Sequence, residues 1–322
     1  MDSTAMSWRE HIRQNMRLAL PLMIGQLATI GFWKSDTIAM GWIDSSSLAA
    51  GALASRFYQP FFFLALGISL AVGPLVAQEI GAGDERQVRR AFRQGMVIAV
   101  ALGLVTAPLL LFGEQVLVLL GQDPELAAIG QPFLFWSSFG LPFMFLSFVL
   151  RQFLIAHQRP MPQVIALIIA LAANVALNEA FVSGIGPFPA MGLAGIALAT
   201  TIVYALLCAG LIAYIAMIQP FRDSRPFQRL WVMDLAVTAR LLRIGVPIGL
   251  TIFAEAGMFI AVTFLIGLFG TAALAAAAIA NQIAAITFMI PSPSPRRAPS
   301  GSAISPAPPT APTCHEAQAP PS

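Results

Sequence analysis

Apolar residues run in long blocks along most of this chain, and polar residues gather in the short gaps between them. A helix needs about 20 residues to cross the hydrocarbon core of a bilayer. Blocks of that length lie at roughly 17 to 42, 47 to 78, 94 to 120, 128 to 155, 161 to 183, 190 to 218, 241 to 268 and 271 to 290, which predicts eight spans. From Pro291 to the C-terminus the pattern ends, and a Pro-, Ser- and Ala-rich run without helical periodicity predicts disorder.

The gaps alternate in charge. Arg9, Arg13 and Arg17 precede the first span, Arg86, Arg89 and Arg90 lie between the second and third, Arg151 and Arg159 mark the next turn of that parity, and the segment from Arg222 to Arg243 the last. The gaps of the other parity, around Asp44, from Glu114 to Glu125, from Ser183 to Pro189 and around Gly270, contain no Lys or Arg. Cationic loops stay in the cytoplasm, so the N-terminus is expected there.

An ungapped shift of 226 residues lays Arg17–Phe62 on Arg243–Phe288, pairing Arg17 with Arg243, Pro21 with Pro247, Gly31 with Gly257 and Thr37 with Thr263. Two apolar segments so far apart point to a duplicated multi-helix unit, a design of secondary transporters. The expected organisation is a six-helix lobe over 1–218, a cytoplasmic linker over 219–240, two helices of an incomplete second lobe over 241–290, and the tail over 291–322. A second repeat of full length would run well past Ile290. The switch there fits an out-of-frame translation of GC-rich DNA better than a natural low-complexity extension, and makes the chain a C-terminally truncated product.

Composition supports the membrane reading: 57% of residues are hydrophobic and 10% charged, too few polar side chains to cover a soluble globule of this size. The N-terminal segment holds Arg9, Glu10, His11 and Arg13 and is too polar for the core of a cleaved signal. Cys208 and Cys314 build no disulfide framework or metal cluster. The net charge of +3 follows the topological partition of Arg and gives no reason to expect nucleic acid. His11, His157 and His315 fall at the terminus, in a turn and in the tail. Without a buried His base and without HExxH, GxxxxGK[ST] or GxSxG, neither enzymatic catalysis nor ATP hydrolysis is expected.

An ionisable side chain in the bilayer centre costs on the order of 3 kcal/mol and is by default a functional candidate. The spans contain Lys34, Asp36, Arg56, Glu179 and Glu255, with Glu79 near a helix end. Asp36, about two turns before the external end of the first span, suits a site that exchanges protons or cations; the alternative is a bond to a neighbouring helix. Pairing with Lys34 is not expected, because residues two apart face different ways on a helix. Glu255 lies mid-span between small residues, and its repeat partner is Thr29. Asn174 and Asn178, one turn apart, share a face and either complete a cation site with Asp36 or hold helices together. Thr200 and Tyr204 form a second spaced polar pair. Phe57, Tyr58, Phe61, Phe62 and Phe63 could line a pocket for flat or cationic ligands, although packing toward lipid is the first expectation.

These residues carry a resemblance to a known family. RLALPLMIGQLA and SDTIAMG in the first span, GPLVAQEIGAGD at the end of the second, LIIALAANVALNEAFVSG in the fifth, GLAGIALATTIVY in the sixth, and the Glu255 segment through TAALAAAAIANQIA resemble the MATE family of multidrug and toxic compound extrusion transporters, in its NorM-like branch. The resemblance implies an all-α integral membrane fold of twelve helices in two lobes, of which this chain would hold about eight. It implies a multi-pass, monomeric protein of the bacterial inner membrane that exports cationic, often aromatic drugs against Na+ or H+ and needs no other cofactor. By the same resemblance, Asp36, Asn174, Asn178 and Thr200 correspond to a first-lobe cation site with possible Na+ at Asp36, Glu255 contributes to coupling, and Tyr58 and Tyr204 are candidates for the substrate cavity. Lys34 is a departure, adding a positive charge beside the aspartate. The alternatives are a non-transporting membrane fragment and a lipid or polysaccharide flippase of the same superfamily, for which Lys34 and Arg56 are too few cations.

Overall fold

The structure, a computed structural model, describes residues 8–184, 189–219, 221, 227 and 232–267, with side chains from residue 23 onward except 259–261 and 263–267. The predicted span at 271–290, the tail and most of the linker lie outside the described residues. Among the described residues the chain is all-helical: α1 Trp8–Ile43, α2 Ser45–Gly81, α3 Glu85–Leu111, α4 Gly113–Leu119, α5 Pro124–Ala156, α6 Met161–Ser183, α7 Leu193–Met217 and α8 Leu235–Gly267. Within α2, α3, α5, α6, α7 and the part of α8 from Leu235 to Met258, apolar runs are long enough to cross a membrane. α1 has the length, but Lys34, Ser35, Asp36 and Thr37 interrupt its apolar run.

Aspartates cap the starts of four of the helices. Asp44 accepts from the backbone N–H of Ser47 ahead of α2, Asp84 from Arg86 and Gln87 at 2.9 and 3.0 Å ahead of α3, Asp123 from Glu125 at 2.9 Å ahead of α5, and Asp234 from Val237 at 3.3 Å ahead of α8. Each satisfies an amide that the first helical turn leaves without a partner.

Several boundaries differ from the sequence reading. The third span is not one helix over 94–120: α3 ends at Leu111 and the short α4 follows. The break is closed from outside, because the Gln131 amide of α5 donates to the Leu111 carbonyl and accepts from the Glu114 N–H, both at 2.7 Å. The Arg-bearing segment from Glu85 to Arg90 is the start of α3 rather than a loop, and Arg151 lies inside α5 rather than in a turn. α8 begins at Leu235, six residues before the predicted 241, since a helix end that reaches the aqueous interface can carry charge.

α5 is the central helix, packed against α2, α3 and α7; α6 lies between α1 and α7, and α8 runs along α2 and touches α3. Lipid offers helices no hydrophobic gain on association, so small residues at close crossings and interhelical hydrogen bonds hold such bundles. At Gly103 of α3 an added Cβ would lie 2.5 Å from the Pro142 Cα of α5. A Cβ on Gly67 of α2 would overlap the Gly249 backbone of α8 and lie 2.7 Å from the Gly245 carbonyl oxygen. Polar contacts extend this second crossing. Arg240 bonds Glu79 at 3.0 Å and Gln78 at 2.9 Å, Arg90 pairs with Asp234 at 3.5 Å, and the buried Gln94 donates to the Val232 carbonyl and accepts from Thr238, both at 3.0 Å. Side-chain polarity is turned inward, with Ser147, Asn174 and Asn178 buried while Ile169, Val105 and Leu206 are exposed.

Candidate functional site

α1 and α6 pack side by side, and α7 closes the angle between them. This brings Asp36 opposite the face that Asn174 and Asn178 share. The carboxylate is fully engaged: Oδ1 accepts from Asn178 Nδ2 at 2.9 Å and Asn174 Nδ2 at 3.2 Å, and Oδ2 accepts from the Thr200 hydroxyl at 3.0 Å. Asn174 Nδ2 also lies 3.1 Å from Thr200 Oγ1, and Asn178 Nδ2 lies 3.2 Å from Asn174 Oδ1 and 3.4 Å from Ser35 Oγ. Every donor is neutral. The negative charge is therefore solvated by dipoles but not cancelled, an arrangement that favours capture of a proton or a small cation.

One atom is left over. Asn178 Oδ1 is buried and makes no hydrogen bond, although a buried oxygen without a partner costs about 1–3 kcal/mol. The same side chain bonds Asp36 through its Nδ2, beside the oxygens of Asn174 and Thr200, a set of oxygen donors of the kind that suits hard cations. Among the described residues no group of three or more His, Cys, Asp and Glu could hold a metal ion, so this set contains a single carboxylate and neutral oxygens.

Asp36 and Thr200 also line a cavity of about 410 Å³. Its walls carry Phe32, Trp33, Tyr58, Phe133 and Tyr204, with Met40 and Met144 beside them. The Phe32 and Tyr204 rings are 5.1 Å apart. Lys34 and Arg56 line the same cavity and are exposed. Arg56 donates to Gln59 at 3.4 Å, and no described residue pairs with the Lys34 ammonium.

Asp36, Asn174, Asn178, Thr200, Tyr58 and Tyr204 are thus brought to one place. Glu255 is not: it stands exposed on α8, outside the hydrogen-bond cluster and the cavity lining. Two residues of the aromatic run of α2 turn inward rather than toward lipid as first expected. Phe62 is 6% exposed and meets Trp33 edge-on at 4.8 Å and Phe148 at 5.7 Å, and Tyr58 turns into the cavity. The α1–α2 packing draws that face inward. Sequence reasoning passed over Ser35 and Arg151. Ser35 adjoins the aspartate and could have been found by that adjacency. Arg151 lies over the Phe148 ring at 5.7 Å and donates to Thr29 Oγ1 at 3.4 Å; its position at a span end hid its inward direction.

Comparison with known proteins adds the following. The MatE family model matches residues 21–180 and 247–293. A protein of Bradyrhizobium diazoefficiens named "Probable multidrug resistance protein NorM" is 37% identical over 278 residues, 86% of this chain and 60% of that protein. One of the same name from Pseudomonas aeruginosa is 35% identical over 276 residues, 86% of this chain and 57% of that protein. The chain spans about 60% of the length of the curated relatives it matches. Among solved structures, the bent form of a Vibrio cholerae MATE transporter superposes with a TM-score of 0.74 at 20% identity, covering 87% of this chain and 63% of that one. A transporter of the MOP superfamily from Pyrococcus furiosus superposes with a TM-score of 0.71 at 19% identity, covering 85% and 60%. At these identities the two superpositions establish the fold.

Proposed function

Because the chain belongs to the MatE family, we propose that it acts in secondary active multidrug efflux across the bacterial inner membrane, exchanging cationic or aromatic compounds for Na+ or H+, with its N-terminus in the cytoplasm. The observation that carries the reading is the Asp36 carboxylate, held only by neutral donors from Asn174, Asn178 and Thr200 at the wall of an aromatic cavity of about 410 Å³. The curated relatives named as multidrug resistance proteins support the drug as cargo.

The chemistry is competition for one charge. With Asp36 ionised, the cavity holds a fixed negative group beside Phe32, Tyr58 and Tyr204, whose faces accept flat and cationic molecules. A proton arriving at Oδ2 turns the Thr200 hydroxyl from donor to acceptor and cancels the charge. A Na+ ion draws on the oxygens of Asp36 and Thr200 and on the unpartnered Asn178 Oδ1. Either event weakens the hold on a cationic drug. Drug release and ion entry are then linked, and by reciprocity each changes the affinity for the other by the same factor.

The test uses the 322-residue chain in liposomes, with ethidium uptake driven by an imposed Na+ or proton gradient. Asp36→Asn keeps the shape of the side chain and its hydrogen-bonding reach while removing the charge. It is expected to abolish gradient-driven ethidium movement while leaving the amount of inserted protein unchanged. Normal flux in that variant would refute the role of Asp36, and no flux in the wild-type chain would refute transport by this polypeptide.

A further inference from the structure

One face of α3 carries arginine at one end and hydrocarbon at the other. Arg86, Arg89 and Arg93 follow one another at helical spacing, and the same face continues through Val97 and Val100 to Leu104, which is 60% exposed. The opposite side is the packed one, where a Cβ added to Gly95 would meet Val72 of α2 and Val149 of α5. Arg93 is the unusual member. It is 8% exposed, its Nε is buried without a hydrogen bond, and no described residue pairs with its guanidinium. A charge withdrawn from water needs a counter-charge. Among the described residues the acids at this end of the bundle do not supply one. Glu79 is bound by Arg240, Asp234 by Arg90, and Asp84 caps α3, which leaves the exposed Glu85 of the first turn beside three arginines.

We propose that this face of α3 binds an anionic phospholipid of the leaflet on the arginine-rich side, with the phosphate held by Arg86 and Arg93 and the acyl chains lying along Val97, Val100 and Leu104. The planar fork of arginine offers a phosphate two parallel donors. Arg93 stands where the apolar part of α3 begins, the depth at which basic side chains meet anionic headgroups. From Arg93 to Leu104 the helix rises about 16 Å, close to the thickness of one leaflet of hydrocarbon. An acyl chain therefore has apolar helix beside it over its whole length. That strip commits the site to a lipid, because a free phosphate gains nothing from it. The surplus of cations commits it to a headgroup of net negative charge, since the amine of a zwitterionic lipid would meet three arginines with Glu85 alone to receive it. The bound phosphate gives Arg93 the counter-charge that the neighbouring acids leave unfilled. The site lies apart from the Asp36 cavity and does not depend on what that cavity carries.

Native mass spectrometry tests the site on the 322-residue chain, delipidated in detergent and then given phosphatidylglycerol or phosphatidylethanolamine. Phosphatidylglycerol is expected to leave more singly bound protein at equal concentration, by about fivefold or more, the worth of one arginine toward an anionic lipid. Arg86→Met, at an exposed position that folding does not depend on, and Arg93→Met each bring the two lipids together. Arg93→Lys keeps part of the preference, and Arg13→Met, which removes the same charge from α1, leaves it intact. Equal binding of the two lipids by the wild-type chain overturns the proposal, as does a preference that survives both Arg86→Met and Arg93→Met. An equal loss in Arg13→Met also overturns it, by showing diffuse attraction instead of a site. Displacement of phosphatidylglycerol by an equal concentration of glycerol 3-phosphate would overturn the lipid as occupant and assign the arginines to a soluble phosphate ester.

Discussion

Substituting Gly103 by Ala tests whether the centre of the bundle is held by backbone-to-backbone fit. The added methyl would stand 2.5 Å from Pro142 Cα, 2.6 Å from its nitrogen and 2.9 Å from its Cγ. These atoms belong to main chain and a ring, so no side-chain rotation relieves the overlap, and α3 and α5 must part by about 1 Å to reach ordinary contact. Overpacking of this kind costs about 1–3 kcal/mol. The strain has a local witness. The next residue of α5, Phe143, accepts the Cys208 thiol at 3.0 Å, and a shift of about 1 Å stretches that contact to the outer limit of a sulfur hydrogen bond. In a Cys314→Ser background, the rate of maleimide labelling at the buried Cys208 reads the change during a thermal ramp. Gly103→Ala is expected to label at a temperature several degrees below wild type. Gly257→Ala, where an added Cβ meets nothing within 4 Å, is expected to leave the temperature unchanged or raise it, since Ala is the better helix former by about 1 kcal/mol. Equal labelling curves for Gly103→Ala and Gly257→Ala would refute the reasoning.

Two further outcomes follow from contacts described above. Gln94→Leu removes the donor that satisfies the Val232 carbonyl and the acceptor of Thr238, at a cost of about 1–3 kcal/mol; tryptic cleavage at Arg240 and Arg243 should accelerate, and unchanged cleavage would show that this contact does not hold α8. At the end of α5, burial above all, with Arg159 nearby, holds His157 below its ordinary 6.5, against the opposing bond to the Phe153 carbonyl. The folded chain then binds this proton less readily than the unfolded one, so stability is complete above pH 6.5 and falls as the pH drops below it. His157→Phe should flatten that decline, and parallel pH–stability curves for the two proteins would contradict the assignment.

The candidate site was legible because its grammar is local. Asn174 and Asn178 are spaced by one turn, Asp36 stands in a short polar break within an apolar run, and a polar side chain in such a setting has few reasons to exist other than another polar side chain. What escaped the sequence were decisions made across the fold. The end of α3 depends on Gln131, some twenty residues further along the chain and on another helix. Hydropathy alone joined α3 to α4 because the partner for the freed backbone groups was not local. Phe62 and Tyr58 carry no mark that separates an inward from an outward aromatic; only the α1–α2 contact decides it. Glu255 had the same local signal as Asp36, yet it stands apart from the cluster, since a lone carboxylate in a span announces a need for partners without naming them.

The glycine crossing of α2 and α8 bears on the order in which the protein is built. Until α8 leaves the ribosome, Gly67 leaves a shallow notch in α2 that lipid fills poorly, and Gln94 lacks both of its partners. Arrival of Gly245 and Gly249 closes that seam, and Arg240 fixes the register through Glu79 and Gln78. The helices made first therefore act as a mould, so that α8 is set in place on a surface of α2 and α3 already shaped to receive it.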